Sequence, residues 1–305
     1  LHIHTPFVAH YAGILLAREL EIPVVETYHT FFEEYFFHYV PLIPKALLKF
    51  LARKFSVSQC RQIDHIVVPS QPMVDVLRDY GVTTPHTVLP TGVDIVEGEE
   101  NAGLAFRKQY GISPDQPVLV HIGRVAFEKN IEFLLSVTAL LVNQLPNLML
   151  LIAGEGPALK KLKLLANKLG IEANVKFVGY LDRNKDLSAC YQAGDVFVFS
   201  SRTETQGVVL LEAMLLGVPV VSTAKMGTKD ILVNGKGALI AQERADDFAD
   251  KILKILHDPE LAAILRKEGI EYARTWKPSE MAKRMVHLYE ELQTRNDCLT
   301  KPSHA

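Results

Sequence analysis

Two carboxylates and two cations in the second half of the chain have the types and spacing to handle a charged, hydroxyl-bearing ligand. In "SSRTETQGVVLLEAMLLG", Ser200 to Gly217, Glu204 lies on a Ser/Thr-rich approach, Gly207 follows three residues later, and Glu212 sits inside an apolar run. If Gly207 opens a helix, its exposed backbone N–H groups favour an anion. Glu204 then stays in the preceding loop, Glu212 projects from the second turn, and both carboxylates border one cavity. Glu212 can accept hydrogen bonds from vicinal hydroxyls such as those of ribose. Glu204 can meet sugar hydroxyls or positive charge developing at an anomeric carbon. The plainer alternative makes Glu204 an acid favoured by the helix dipole and Glu212 an exposed residue of an amphipathic helix. That alternative fits Glu212 poorly, because Val208, Val209, Leu210, Leu211, Ala213 and Met214 surround it; an embedded carboxylate needs partners. Upstream, in "VHIGRVAFEKN", Gly123 lets backbone approach a ligand, and Arg124 and Lys129 flank a turn that starts a helix. Two cations beside a helix N-terminus make a competent diphosphate site, with solvated surface charge as the alternative.

These groups need a scaffold, and the pattern around them supplies one. "PVLVHIG", "LMLLIAG", "VKFVG", "VFVFSS" and "PVVST" read as short buried strands separated by helical segments, the alternation of a parallel, helix-covered sheet. In such sheets ligands bind outside the carboxyl ends of the strands, which is where Arg124, Lys129, Glu204 and Gly207 fall. After "LMLLIAG", Gly154-x-Gly156 is half of a dinucleotide fingerprint with Leu159 where a third Gly or Ala is expected; a tight turn with Pro157 in the first helical turn is the plainer reading. After "VKFVG", Tyr180 and Leu181 offer backbone amides and an aromatic face to a nucleobase, or form a surface turn. The first third repeats the grammar: a helix from Val8 to Glu19, then strands in "IPVVETY", "HIVVPS" and "HTVLPTGVD". Residues 92–114 are polar, carry no strand and read as a crossover into a second domain; the tail is helical, broken near Asp258-Pro259 and Lys277-Pro278.

Length and composition narrow the class. The chain has 305 residues and a net charge of −2, enough for two domains and with no global attraction to nucleic acid. Cys60, Cys190 and Cys298 are distant and odd in number, which argues against a disulfide framework or structural zinc and fits a reducing cytosol. No run approaches the roughly 18 to 20 apolar residues of a membrane-spanning helix. The chain opens without Met or signal peptide, at full stride in a strand end and helix, and reads as a fragment whose upstream part is absent.

Arg124 and Lys129, the "GEGP" turn, "FVG", and Glu204 with Glu212 form an ordered set that resembles the nucleotide-sugar half of retaining glycosyltransferases of family 4. The resemblance covers nearly all of the chain and implies the α/β GT-B fold, two Rossmann-like domains facing a cleft. Residues 1–92 would be a partial N-terminal acceptor-binding domain, 93–277 the nucleotide-sugar domain, and 278–305 a helix crossing back. It implies Arg124 and Lys129 on the donor diphosphate, Glu204 near the transferred sugar and Glu212 on the ribose. Gly123, Gly154, Tyr180, Leu181, Thr205, Gln206 and Gly207 count with the donor site. "LPTGVD" resembles the family's "PNGVD", with Thr91 in place of Asn, and carries no assigned role. The absent upstream part would hold the first strands and a glycine-rich loop that also contacts the donor, which puts the activity of this segment by itself in doubt.

On the acceptor side, "YHTFFEEYFFHYVP" resembles a stretch of bacterial glycosyltransferases that glucosylate diacylglycerol, and "MGTKDIL" fits the same subgroup. His29 matches an acceptor-domain His near the transferred sugar; capping or core packing is its alternative. From Tyr35 to Ile63 there is no acid, while Lys45, Lys49, Arg53, Lys54 and Arg61 alternate with Leu and Phe. Such a helix can lie in an anionic membrane interface, or pack on the sheet with a solvated basic face. The resemblance therefore implies an enzyme: a hexosyltransferase moving glucose from UDP-glucose to a lipid hydroxyl such as that of 1,2-diacylglycerol, with catalytic residues Glu204, His29, Arg124 and Lys129. Alternative acceptors are phosphatidylinositol or a soluble glycan. Alternatives of another class are a non-catalytic sugar- or lipid-binding protein of the same fold, and an NAD-dependent oxidoreductase suggested only by Gly154 and Gly156. With no Asp-x-Asp motif, no metal and no cofactor beyond the nucleotide sugar are expected. The expected place is the cytoplasm, peripheral on the membrane face, with no nucleic-acid partner.

Overall fold

The computed structural model describes residues 1–29, 45–94, 99, 101–183 and 185–300, without the side chains of Lys45 and residues 297–300. Residues 30–44 of the acceptor-like stretch, the Lys45 ammonium and the Cys298 thiol lie outside the described residues. The chain divides into two compact units, Leu1–Gly92 with Lys277–Ala305, and Val93–Trp276.

The first unit is a parallel sheet in the order β1 (His2–Ile3), β2 (Val25–Thr27), β3 (His65–Val68), β4 (His86–Val88). Helices α1 (Val8–Leu20), α2 (Lys45–Cys60) and α3 (Gln71–Asp79) connect its strands. The last helix of the chain, Pro278–Thr300, belongs to this unit, where Leu288 and Leu292 share a core with Val25, Val67 and Leu89. Arg284 donates to the Val88 carbonyl at 2.9 Å and the Tyr289 hydroxyl meets His2 Nδ1 at 2.6 Å, which fixes that helix in register.

The second unit is a six-stranded parallel sheet in the order β10-β9-β8-β5-β6-β7. Its strands are β5 (Val118–Ile122), β6 (Met149–Ala153), β7 (Val175–Gly179), β8 (Val196–Phe199), β9 (Val220–Ser222) and β10 (Ala238–Ile240). Both faces are covered, so the strands are continuously apolar rather than alternating. Leu119, Leu150, Ile152, Val196 and Val198 point into one core, while Val118, Val120, Ile122, Leu151, Phe197 and Phe199 point into the other. The helices are α4 (Ala102–Gln109), α5 (Ile131–Val142), α6 (Leu159–Lys168), α7 (Leu187–Gln192), α8 (Val208–Leu215), α9 (Thr228–Ile231), α10 (Ala245–His257) and α11 (Pro259–Ala273); the helix Pro278–Thr300 is α12. Asp258 caps α11 by accepting from the Leu261 amide at 2.9 Å, with Pro259 in the first turn, the start that the Asp-Pro pair predicts.

The polar connection 92–114 holds helix α4, which its composition conceals. Arg107 anchors it from a nearly buried position: Nε donates to Ala193 O at 2.9 Å, Nη1 to Pro114 O at 2.7 Å and Gln116 O at 3.0 Å, and Nη2 to Asp195 Oδ2 at 3.0 Å. Asp195 Oδ2 also accepts from the Val118 amide at 2.8 Å, so one side chain ties α4 to the starts of β5 and β8. Removing one partner of a buried pair leaves the other charge uncompensated. We expect Arg107→Met to lower the unfolding free energy of this unit by about 3 kcal/mol, read as a fall in urea midpoint at unchanged slope.

Candidate active site

The carboxyl ends of β5, β6 and β7 are bound together through their backbones. Gly123 donates to Ala153 O at 3.0 Å, Gly154 to Gly179 O at 2.7 Å, Val125 to Glu155 O at 2.8 Å and Ala158 to Val125 O at 3.0 Å. The loops run so close that a Cβ on Gly154 would lie 1.9 Å from Gly123 O, and one on Gly156 2.3 Å from Val125 O. The Gly154-x-Gly156 pair is therefore explained by loop packing, which removes the only sequence support for a dinucleotide-dependent oxidoreductase. Beyond β7, Leu181 packs against the core while Tyr180 stands 75% exposed.

Lys129 ends a short 3₁₀ turn, Phe127–Lys129, ahead of α5. Asn130 locks this turn to the end of β8: its amide donates to Ser200 O at 3.2 Å and to Glu243 Oε1 at 3.2 Å, and Ser200 Oγ returns a bond to Asn130 O at 2.9 Å. The Lys129 ammonium is thereby brought onto Glu204, and the two form a largely buried ion pair. The Glu204 loop is backed by "MGTKDIL": the Gly227 amide donates to Glu204 O at 2.8 Å, and a Cβ on Gly227 would lie 2.0 Å from Thr205 O. Gln206 is buried beside it, and Gly207 is the N-cap of α8. Arg124 pairs with Glu128. Both cations of the expected diphosphate site thus carry carboxylate partners in this structure.

Glu212, on α8, is only 7% exposed. The Tyr191 hydroxyl donates to its Oε2 at 2.8 Å and Arg183 Nη2 to its Oε1 at 2.5 Å. Burial first, then the Glu212 charge, pushes the Tyr191 hydroxyl well above the ordinary phenol range, so it stays protonated and donates. Glu212 lines a small cavity with Asp94, Arg183, Leu187, Ser188, Tyr191 and Leu215, and Glu204 has no part in its lining. The two carboxylates have separate partner sets, because α8 carries Glu212 beside Tyr191 of α7 while Glu204 is held toward Lys129.

In the first unit His29 follows β2, its Nε2 3.5 Å from His4 Nδ1 with the rings stacked. His2 bonds Thr27 Oγ1 at 2.7 Å and the Tyr289 hydroxyl at 2.6 Å; burial, then the neighbouring His4 and His29 imidazoles, push its pKa down to about 4. Helix α2 buries Leu48, Ala52, Ser56 and Gln59 and exposes Leu47, Phe50 and Leu51. Arg53 lies 5.1 Å over the Tyr80 ring and Lys54 5.6 Å over the Phe50 ring. A groove of about 650 Å³ there is lined by Phe50, Arg53, Lys54 and Arg61. Lys49 lies on the same helix, half-buried.

Tyr191, Arg183, Asn130 and His121 were not marked as site residues by sequence. The signal for the first two was the need of an embedded Glu212 for donors. His121, on β5 two residues before Gly123, is fully buried; it stacks on Phe199, and its Nδ1 donates to Val198 O at 3.1 Å while Nε2 has no partner. Burial, with a smaller push from Lys129, takes its pKa down to about 4 against the Val198 bond. Among the described residues no group of three His, Cys, Asp or Glu is placed to hold a metal ion, and no helix is long and apolar enough to cross a membrane.

The family model for glycosyl transferases group 1 matches residues 104–276, and that for Glycosyltransferase Family 4 matches residues 1–97. An alpha-monoglucosyldiacylglycerol synthase of Streptococcus pneumoniae (strain ATCC BAA-255 / R6) is 34% identical over 266 residues, 84% of this chain and 58% of the relative. A sulfoquinovosyl transferase of Arabidopsis thaliana is 31% identical over 286 residues, 89% of this chain and 52% of the relative. The chain thus spans between half and three-fifths of the length of these two relatives. Among solved structures, the sucrose-phosphate synthase of Thermosynechococcus elongatus superposes with a TM-score of 0.80 at 25% identity, covering 95% of this chain and 73% of that one. The Anabaena HepE structure with UDP-glucose gives 0.81 at 20% identity, covering 95% and 78%, a likeness of fold.

The His121 shift has a defined pH signature. Its folded pKa lies near 4, below the ordinary value of about 6.5. The unfolded chain therefore takes up this proton first as pH falls, and the stability present above pH ~6.5 is lost progressively down to pH ~4, by about 3 kcal/mol in all. In urea unfolding followed across that window, His121→Gln should flatten the pH dependence by that amount; an unchanged profile would assign the loss to other groups.

Proposed function

The chain belongs to the glycosyl transferases group 1 family, and from that membership we propose that it moves a hexose, glucose from UDP-glucose, to a lipid hydroxyl such as that of 1,2-diacylglycerol with retention at the anomeric carbon. The observation that carries the reading is the buried pairing of Lys129 with Glu204 at the carboxyl ends of β5 and β8, beside a helix start at Gly207. A cation there, with Arg124 on the same loop, meets the negative charge of a departing diphosphate, and the α8 N-terminus adds its dipole. The bond from the sugar C1 to the diphosphate oxygen breaks, the acceptor oxygen bonds to C1, and the acceptor proton passes to the departing phosphate. Glu204 faces positive charge developing at C1, Glu212 binds the ribose, and His29 belongs to the acceptor side. No metal is needed in this reading, because Arg124 and Lys129 carry the charge it would supply.

The lipid acceptor is supported by relatives in S. pneumoniae and Acholeplasma laidlawii that are named alpha-monoglucosyldiacylglycerol synthases, at 34% and 25% identity. It is supported also by α2, which sets Arg53 and Lys54, with Arg61 just past its end, beside exposed Leu47, Phe50 and Leu51, a surface of the kind that can lie in an anionic membrane interface. We place the protein at the cytoplasmic face of the membrane, bound peripherally.

The test presents the protein with a panel of nucleotide sugars and liposomes with or without diacylglycerol. Transfer of glucose from UDP-glucose to the lipid is expected, with Lys129→Ala and Glu204→Gln each lowering kcat about 100-fold or more. Transfer to phosphatidylinositol or a soluble glycan alone would move the acceptor; absence of transfer for every pairing would sink the reading. For the membrane face, Arg53→Gln with Lys54→Gln should weaken cosedimentation with phosphatidylglycerol vesicles about 30-fold, at roughly 1 kcal/mol per cation, and leave binding to neutral vesicles unchanged.

A further inference from the structure

Glu212 is held by two donors of opposite character. Tyr191 reaches Oε2 from inside, from a side chain 1% exposed whose ring packs on Phe197 at 5.4 Å between centroids. Arg183 reaches Oε1 from outside, with 60% of its side chain in solvent. The phenol cannot leave without opening the core that it shares with Cys190, Phe197 and Leu211. The guanidinium can, because the open side of such a pair contributes little and is exchanged with water or ligand at small cost. A carboxylate that must receive two neighbouring hydroxyls has to be held in one plane, and a single fixed donor on one oxygen does this while leaving the other oxygen exchangeable.

We propose that Tyr191 is a positioning residue for ribose recognition: it pins Oε2 of Glu212 so that Oε1, the seat Arg183 holds in this structure, is presented to the vicinal hydroxyls of a nucleoside diphosphate. The proposal rests on the reading of Glu212 as the ribose ligand. Without the Tyr191 hydroxyl, Arg183 becomes the one remaining donor to Glu212 among those described here, and the carboxylate turns toward it, out of register with the diol. The phosphates and the base, which do not contact this oxygen, are indifferent to the change. Tyr191 thus acts on one part of the ligand alone, which a general contribution to packing would not do.

The test is calorimetric titration of the parent chain, Tyr191→Phe and Arg183→Ala with UDP, GDP and ADP, each as the ribose and the 2′,3′-dideoxyribose form, and with inorganic pyrophosphate. The parent should prefer the ribose form of its nucleotide by about 30-fold, the scale of hydrogen bonds to a charged group. Tyr191→Phe should shrink that preference to about threefold while its affinity for the dideoxy form and pyrophosphate stays put; Arg183→Ala should keep the preference even if both forms bind more weakly. An equal loss for both sugar forms in Tyr191→Phe, or a collapse of the preference in Arg183→Ala, overturns the positioning role and leaves the ribose reading of Glu212 intact. A parent that binds both forms alike overturns that ribose reading, and a parent that binds no nucleotide overturns the donor site itself. If Tyr191→Phe does not fold by circular dichroism, the Arg183→Ala preference decides, because Tyr191 is then the donor left on Glu212.

Discussion

Four backbone hydrogen bonds at the carboxyl ends of β5, β6 and β7 set the frame on which the rest of the site depends. Gly123 to Ala153, Gly154 to Gly179, Val125 to Glu155 and Ala158 to Val125 turn three separate strand ends into one mesh. Parallel strands leave unpaired amides and carbonyls where the ladder stops, and a buried orphan there costs as much as a lost hydrogen bond. Closing them loop to loop solves that problem and fixes the platform from which Arg124 and the 3₁₀ turn with Lys129 project. Such close approach admits no Cβ at Gly154 or Gly156, so these glycines serve the platform before they serve any ligand.

Charge adds the second constraint. Lys129 and Glu204 are 75 positions apart in sequence, and Tyr191 and Arg183 converge on Glu212 from 21 and 29 positions upstream. Each carboxylate is half of a neutralised cluster, as a largely buried ion must be. Asn130 and Ser200, exchanging bonds across the gap between β5 and β8, bring the partners together without any contact to the carboxylates themselves.

The strands from β5 to β9 were legible because a sheet covered on both faces needs apolar runs, and "MLLIA", "VFVF" and "VLVHI", broken only by His121, are such runs. β10 had no such mark, being three residues long at the sheet edge. Helix α4 was hidden for a different reason: its stability comes from Arg107 reaching four acceptors on other segments, and no local period records that. In the site, the burial of Glu212 was readable from its apolar neighbours, and so was its need for donors. Which donors meet it was not, because Tyr191 is a core aromatic by type and Arg183 a surface cation, and only the folded chain brings α7 and the loop before it to one carboxylate. The different partners of Glu204 and Glu212 were hidden at the same point, since spacing along a helix start says nothing of which neighbouring element each side chain meets.

With both carboxylates already partnered, the proposed binding of a nucleotide sugar at this site is exchange rather than addition. A diphosphate that draws Lys129 onto itself loosens Glu204, and a diol that takes Oε1 of Glu212 releases Arg183 to solvent. The net affinity is then the difference between two sets of charge-assisted hydrogen bonds, smaller than either set. In the proposed transfer the same exchange would give chemical timing: Glu204 is held by Lys129 until a phosphate competes for the ammonium, so its full negative charge would become available when a leaving diphosphate and an electron-poor sugar carbon are both present. A pre-formed pair of this kind suppresses the cost of a buried lone charge before the ligand arrives, and converts into transition-state stabilisation when it is split. Tyr191, buried and packed on Phe197, has no place to go, which in its proposed role would let it keep Glu212 oriented while Arg183 is exchanged.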